Sequence, residues 1–186
     1  MVKKWMLIGL VIASMMVVRV TWTAETSVLV TISDGHETDQ RDHGRPIILI
    51  AAALEVKPET FREAFSGVKP AHEHKPTEEE AQRNKAALMK VLQPFGVTNA
   101  RLNEVSNYYR YQPQRGELWT NVPAKAHAIV EDGKIKSIVI DEPGSGYSSV
   151  PKVSVGGMDK VQLKVALAFD KDMTKNGSIK TIELRQ

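Results

Sequence analysis

Two segments near the end of the chain repeat one pattern of strands and turns, and this repeat restricts the fold more than any other feature. Residues 133–140 (GKIKSIVI) align without gaps with residues 177–184 (GSIKTIEL), at an offset of 44 residues. In each copy an alternating segment precedes the glycine, at 124–130 and 163–169, which predicts two β-hairpins. One hairpin cannot bury its apolar face, so we expect the two to pack together. The longer tip of the second hairpin, residues 170–177, is expected to project from the sheet.

The segment between residues 27 and 110 has a different periodicity. Residues 27–33 (SVLVTIS) alternate and are rich in β-branched side chains, which predicts a strand. From residue 45 onwards apolar residues recur at helical spacing, and proline and glycine divide this stretch into four predicted helices.

The sequence therefore predicts an α+β protein with an N-terminal strand plus about four helices, then a small antiparallel β domain built from two related hairpins. We assign residues 25–111 to the strand and helical domain and residues 124–186 to the β-repeat domain. Residues 112–123 form a linker, which we expect to pack on the protein through Leu118 and Trp119.

The first 24 residues have the pattern of an export signal. Lys3 and Lys4 precede 14 uncharged residues, 5–18, and this length suits a signal peptide better than a membrane span of roughly 20 residues. Ala24 is a candidate last residue before cleavage, although Trp22 stands where a small residue is usual. The segment is either a cleaved signal or an uncleaved anchor. In both cases we expect the body in the periplasm, at the cell surface or outside the cell, with membrane contact only through an uncleaved anchor.

Cysteine content and charge exclude several kinds of site. The 186 residues contain no Cys, which rules out disulfides, thiolate metal ligands and cysteine nucleophiles. The net charge of +3 comes from Lys3, Lys4 and Arg19, and without them 22 basic residues balance 22 acidic ones. A neutral body gives no electrostatic reason to bind nucleic acid. We expect the partner to be a protein or a component of the cell envelope, of unknown identity.

The run PGSGYSSVPKVSV, residues 143–155, follows the first hairpin copy. Together with GKIKSIVI it resembles a β-repeat with the core G-x-G-Y-x-S-x-P that occurs in bacterial surface proteins and in phage tail or structural proteins. This resemblance covers residues 126–157 and implies a structural module without catalysis. The segments SDGHETD and EVSNYYRY, among others, resemble a family of exported bacterial proteins of unknown function, over most of residues 27–157.

The loop after the first strand, residues 34–44 (DGHETDQRDHG), offers the candidates for a metal site. Imidazole and carboxylate donors of this kind suit Zn, Mn or Ca, and the candidate ligands are His36, Asp39, Asp42 and His43. Their spacing matches neither the HExxH motif nor the calcium-loop pattern. The alternative is structural, because aspartates also cap turns and helix starts. We expect no cofactor, with a divalent metal at this loop as the alternative.

A second candidate site lies on the last predicted helix. Amide, phenol and guanidinium groups there suit a sugar or peptide ligand, and the candidates are Asn103, Glu104, Asn107 and Tyr111. The same side chains fit a polar interface with the β domain equally well. His72 and His74, in a proline-flanked loop, form a third candidate group, either a metal chelate or solvated side chains.

No motif identifies a catalytic centre, since neither a G-x-S-x-G turn nor a nucleophile with a base and an orienting group emerges from spacing. We therefore predict an exported, non-enzymatic binding or structural module of the periplasm or cell surface. The alternative is a metal-dependent enzyme or a metal-binding protein that uses the loop from His36 to His43.

Overall fold

The computed structural model describes residues 25–69, 77–110 and 116–185. Within these ranges the chain is a mixed α+β protein with four α-helices and two antiparallel sheets, which confirms the predicted fold class. The helices are α1 (Ile47–Ala53), α2 (Pro58–Ser66), α3 (Glu78–Leu92) and α4 (Asn99–Tyr108). The strands are β1 (Thr26–Ser33), β2 (Lys125–Glu131), β3 (Lys134–Glu142), β4 (Lys152–Val155), β5 (Leu163–Ala168) and β6 (Ser178–Leu184).

Strand β1 lies inside the larger sheet, whose order is β3-β2-β1-β4. Its first half pairs with β2, where Val28 faces Ala128, and its second half pairs with β4, where Val30 faces Val155. Because side chains alternate along a strand, these apolar residues share one face, and they belong to one buried cluster. The strand that precedes the helices in sequence is thus part of the sheet, while the predicted division into domains stays a prediction.

The two related hairpins form as the repeat predicts. Strands β2 and β3 pair in the larger sheet, and β5 and β6 form the second sheet. Ile138 and Ile182 occupy equivalent positions in the two copies, and both belong to the same apolar cluster. The apolar faces that neither hairpin buries alone are therefore buried against each other.

The helices pack around a second cluster that the sequence pattern explains. All of α1 is apolar (IILIAAA), and Leu49 and Ala51 are fully buried. Helix α3 begins with the expected capping box, in which Thr77 and Glu80 exchange side-chain and backbone hydrogen bonds. Helix α4 turns its apolar stripe inward, with Val105 fully buried.

The tip of the second hairpin does not project from the sheet, which corrects that expectation. It folds back onto the helices, where Met173 packs on the helical cluster and Asn176 is fully buried. Arg101 of α4 donates hydrogen bonds to the main-chain oxygens of Ala53 (3.0 Å) and Lys171 (2.5 Å), which ties the tip to two helices. Asn176 finds a buried acceptor there, the main-chain oxygen of Leu49, so this part of the tip packs on the helices.

The segment before β2 carries one docking residue instead of the expected two. Trp119 is buried and donates a hydrogen bond from Nε1 to the oxygen of Gly146 at 2.8 Å, whereas Leu118 is 46% exposed. Among the described residues, no helix has the length and apolar character needed to cross a membrane. The export signal predicted for residues 1–24 lies outside the described residues.

Candidate functional site

A cavity of about 210 Å³ lies where the loop after β1 meets helices α1 and α2. Its apolar wall comes from the start of α1, with Ile47 and Ile48. Its polar wall consists of Glu37, Asp39, Asp42, Arg45, Arg62 and Ser148. The cavity is smaller than the roughly 300–1,000 Å³ of sites that hold drug-sized ligands, so it suits a smaller molecule.

The loop is held in place by the segment that carries Tyr147. Gly35 has a φ of +88°, and a Cβ there would lie 2.7 Å from the Tyr147 ring, so only glycine fits this close approach. The oxygen of Gly35 accepts hydrogen bonds from the backbone N–H groups of Ser148 (3.0 Å) and Ser149 (3.1 Å). The hydroxyl of Ser148 donates to the oxygen of Glu37 at 2.7 Å. These bonds fix the loop that forms one side of the cavity.

Asp42 is a buried carboxylate with a matched partner. It is 5% exposed, and Arg62 of α2 donates two hydrogen bonds to it, from Nε at 2.7 Å and from a terminal nitrogen at 2.8 Å. The remaining nitrogen of Arg62 donates to Glu59 at 3.2 Å. Two parallel N–H donors to one carboxylate form the strong bidentate pairing of arginine. Asp42 and Arg62 therefore satisfy each other.

Asp39 caps a short 3-10 helix within the loop, Gln40–Asp42, whereas α1 begins without a side-chain cap. Its carboxylate accepts hydrogen bonds from the backbone N–H of Arg41 (2.9 Å) and from two nitrogens of the Arg41 side chain (3.0 and 2.6 Å). The donors of Arg41 hold the pKa of Asp39 well below its usual range. Asp39 is thus an ionised carboxylate whose charge Arg41 balances.

Arg45 is the one arginine of the cavity wall without a carboxylate partner among the described residues. Its guanidinium lies over the ring of Phe65, 4.4 Å from the centroid, and its side chain forms no hydrogen bond or ion pair in the described part of the chain. Burial lowers the pKa of Arg45, which remains far above neutrality. Arg45 is therefore a half-buried cation on the cavity wall, without a hydrogen-bond acceptor among the described residues.

Glu37 lies on the same wall and has one side-chain donor. The hydroxyl of Ser149 forms a very short hydrogen bond with the Glu37 carboxylate and also accepts one from the Glu37 backbone N–H at 3.2 Å. The bond from Ser149 lowers the pKa of Glu37 below its ordinary value. Glu37 forms no ion pair with a described Lys, Arg or His. Its charge, after that of Asp34, raises the pKa of Lys152, so a cation lies in its wider surroundings.

The two histidines of the loop lie in different surroundings. The ring of His36 stacks on Tyr147, with centroids 5.3 Å apart, and lies 5.9 Å from Trp119. Its Nε2 is buried without a hydrogen-bond partner, and burial lowers the pKa of His36. His43 is exposed and ends the 3-10 helix in a left-handed conformation, with φ of 49°. Neither histidine lines the cavity.

Only part of the predicted metal ligand set is therefore brought together. Asp39 and Asp42 share the cavity wall, but each is engaged by an arginine. In residues 25–69, 77–110 and 116–185, no group of three or more His, Asp or Glu side chains is arranged to hold a metal ion. The metal-binding hypothesis stays a prediction, and its experimental test is given below.

None of the candidate residues on α4 lines this cavity. Asn103, Glu104 and Asn107 are exposed, and two of them accept hydrogen bonds from neighbouring arginines. Arg101 donates to Glu104 at 2.7 Å, and Arg110 donates to Asn107 at 2.8 Å. Tyr111, like His72 and His74, lies outside the described residues. A ligand site on this helix stays a prediction.

Sequence reasoning missed the two arginines that define the cavity. Arg45 stands directly before the helix-starting Pro46, and Arg62 lies 20 residues beyond Asp42. The carboxylates of the loop carried an indirect signal, because a buried Asp requires a donor such as a guanidinium. Choosing the partner required the packing of α2 on the loop, which local spacing does not contain.

Comparison with known proteins gives no relative for this arrangement. No protein-family model matches the chain, and no curated protein or solved structure shows significant similarity to it. The resemblances to a surface β-repeat and to an exported family therefore stay predictions.

Proposed function

We propose that this protein is an exported, non-enzymatic binding module of the periplasm or cell surface, and that the cavity beside Arg45 binds a small organic anion. One observation carries the proposal: Arg45 lines the cavity, and its guanidinium has no acceptor among the described residues. A half-buried, unpaired cation costs solvation free energy, and a bound carboxylate recovers it through charge-assisted hydrogen bonds.

The stacking on Phe65 supports this role. A guanidinium that stacks on an aromatic ring still has its N–H groups free in its own plane. A carboxylate can accept two parallel hydrogen bonds from these groups, one on each oxygen. The arrangement also fixes the long side chain, so less conformational entropy is lost on binding. Ile47 and Ile48 offer an apolar surface for the hydrocarbon part of such an anion.

The charge states of the cavity favour binding over catalysis. A general base works best with a pKa near the operating pH. The pKa values of Asp39 and Glu37 are both lowered, by Arg41 and by Ser149 respectively. These carboxylates hold charge at neutral pH and are poor proton acceptors, so they suit electrostatic positioning of a ligand.

Binding is tested by NMR of the purified protein, because side-chain Nε–Hε resonances of arginine report directly on anion contact. Titration with acetate and propionate is expected to shift the Arg45 resonance in a saturable manner. Arg45→Gln removes the charge and is expected to abolish saturable binding, while Arg83→Gln, the same change at an exposed position of α3 outside the cavity wall, leaves it intact. Equal binding by both variants, or no saturable shift in the parent protein, contradicts the proposal.

The export part of the proposal rests on Lys3, Lys4 and the uncharged run that follows them. It is tested by mass spectrometry of protein isolated from its native compartment. We expect a mature chain that begins at Glu25 outside the cytoplasm, or an intact chain held at the membrane. An intact N-terminus in a soluble cytoplasmic fraction contradicts export.

A further inference from the structure

The charged groups on the cavity wall divide into satisfied pairs and two unpaired groups. Asp42 is bound by Arg62, and Asp39 is bound by Arg41. These pairs leave Arg45 as an unpaired cation and Glu37 as an unpaired anion within the described part of the chain. Arg45 and Glu37 line the same cavity but form no ion pair within 4.0 Å of each other.

Glu37 keeps capacity to accept hydrogen bonds. A carboxylate offers about four acceptor positions on its two oxygens. One oxygen, Oε2, accepts from the hydroxyl of Ser149, and no cation among the described residues occupies the other. The Glu37 side chain is exposed, so a ligand that enters the cavity reaches it without displacing protein atoms.

The two unpaired charges restrict the ligand that the cavity favours. A simple carboxylate bound at Arg45 leaves Glu37 unmatched and adds a fourth negative charge to a wall that already carries three carboxylates. A dianion such as phosphate increases this repulsion further. A ligand that also carries a positive group removes the conflict, because each of its charges then faces an opposite charge.

Building on the proposed function, we propose that the ligand is a small zwitterion, an amino acid whose carboxylate pairs with Arg45 and whose ammonium group pairs with Glu37. Both contacts are charge-assisted hydrogen bonds, which are stronger than neutral ones. The small volume, about 210 Å³, selects against long substituents. The free edge of Ile47 and Ile48 then contacts the carbon chain between the two charges.

The test compares amino acids with the alkanoates that lack only the ammonium group. Glycine, β-alanine and 4-aminobutyrate are titrated beside acetate, propionate and butyrate, and the chain length that binds best reports the separation of the two charges. At least one amino acid is expected to bind about tenfold more tightly than its matched alkanoate, the scale of one charge-assisted hydrogen bond.

Two variants assign the contacts. Glu37→Gln keeps an acceptor for Ser149 but loses the charge, so it is expected to remove the tenfold preference while alkanoates bind as before or more tightly. Arg45→Gln is expected to weaken both ligand series. Glu183→Gln, on an exposed position of β6 outside the cavity wall, serves as the control and is expected to change neither series.

The outcomes separate this inference from the proposed function. If alkanoates bind in an Arg45-dependent manner but no amino acid binds more tightly than its partner, the zwitterion is wrong and anion binding stands. If neither series binds, both proposals are wrong. A preference for amino acids that survives in Glu37→Gln also overturns the role of Glu37.

Discussion

The side-chain amide of Asn176 donates a hydrogen bond to the main-chain oxygen of Leu49 at 2.8 Å, which joins the tip of the β5–β6 hairpin to helix α1. The same amide nitrogen donates to the hydroxyl of Tyr109 at 2.9 Å, and its oxygen accepts from the backbone N–H of Asp170 at 3.1 Å. Asn176 is fully buried. One side chain thus connects the second hairpin to the first and last helices.

Replacing Asn176 with Ala is expected to lower the free energy of unfolding by about 2–3 kcal/mol, because it leaves buried polar groups without partners. The matched control is Lys175→Ala in the same tip, an exposed residue that we expect to tolerate the change. Chemical denaturation measures both. A similar small loss for the two variants contradicts the view that this tip is anchored to the helices.

The glycines at the same position of the two hairpins provide a second test. Gly133 and Gly177 both have positive φ, +73° and +68°. A Cβ at Gly133 meets no atom within 4 Å, whereas one at Gly177 lies 2.5 Å from the oxygen of Tyr147 and 2.7 Å from a methyl carbon of Leu49. The two sites therefore share the backbone requirement and differ only in packing.

Gly133→Ala is expected to cost about 1 kcal/mol, the penalty of a left-handed alanine. Gly177→Ala adds a clash in a packed region, and we expect it to cost at least about 2 kcal/mol more. Thermal or chemical unfolding of the two variants gives the difference. Equal losses would show that the hairpin copies differ less in their surroundings than the structure indicates.

Local patterns predicted the elements well because the information lies within a few residues. Alternation in residues 27–33 and the capping box at Thr77 depend on neighbours in sequence, and the structure has a strand and a helix start at these places. The equivalence of Ile138 and Ile182 also followed from the repeat, since one hairpin alone leaves its apolar face exposed.

The candidate site and the hairpin tip depend on contacts between distant residues, which local patterns do not specify. The sequence identifies Asp42 as a candidate metal ligand, but its partner Arg62 is determined by how α2 packs on the loop. Asn176 lies in a polar tip that the sequence predicts to be exposed, yet its side chain is buried because a helix 127 residues earlier supplies the acceptor. Polarity predicts exposure only where no distant partner exists.

The pair of Asp42 and Arg62 predicts a loss of stability when the guanidinium is removed. Arg62→Met leaves a carboxylate that is only 5% exposed without its two donors. The Arg62 side chain is 22% exposed, so water partly replaces its hydrogen bonds to Asp42 in the variant. We therefore expect the free energy of unfolding to fall by about 2–4 kcal/mol, at or below the value for a fully buried pair. Chemical denaturation measures it.

The control for this change is Arg41→Met, which removes the arginine that pairs with Asp39 in the loop. Arg41 and Asp39 are both solvent-exposed, with side-chain exposures of 67% and 36%, so we expect no measurable loss of stability. If Arg41→Met destabilises the protein as much as Arg62→Met, burial does not determine the strength of these pairs.

The metal hypothesis has its own test. Because arginines engage both Asp39 and Asp42, we expect carefully purified protein to contain no stoichiometric divalent ion and its melting temperature not to change with Zn, Mn or Ca. A ligand that binds the native state raises this temperature. Stoichiometric metal that His36→Ala and His43→Ala each remove, with the fold intact, would instead support the metal-binding alternative.

The half-buried ring of His36 predicts a dependence of stability on pH. Burial lowers the pKa of His36 in the folded protein, whereas in the unfolded chain the pKa is near the ordinary value of about 6.5. As the pH falls through about 6.5, His36 becomes protonated in the unfolded chain but stays neutral in the folded protein. The unfolded state then binds more protons, so stability is full above this pH and is lost as the pH falls towards the folded pKa.

His36→Phe keeps an aromatic ring between Tyr147 and Trp119 and removes the titrating group. We expect this variant to lose the part of the stability decrease between pH 7 and about 5 that belongs to His36. His43→Gln, at an exposed position of the same loop, is the control and is expected to follow the parent. Unfolding free energies at several pH values give the three curves. If the unfolding free energy of His36→Phe changes with pH as steeply as that of the parent in this range, the buried Nε2 of His36 does not oppose protonation in the folded state.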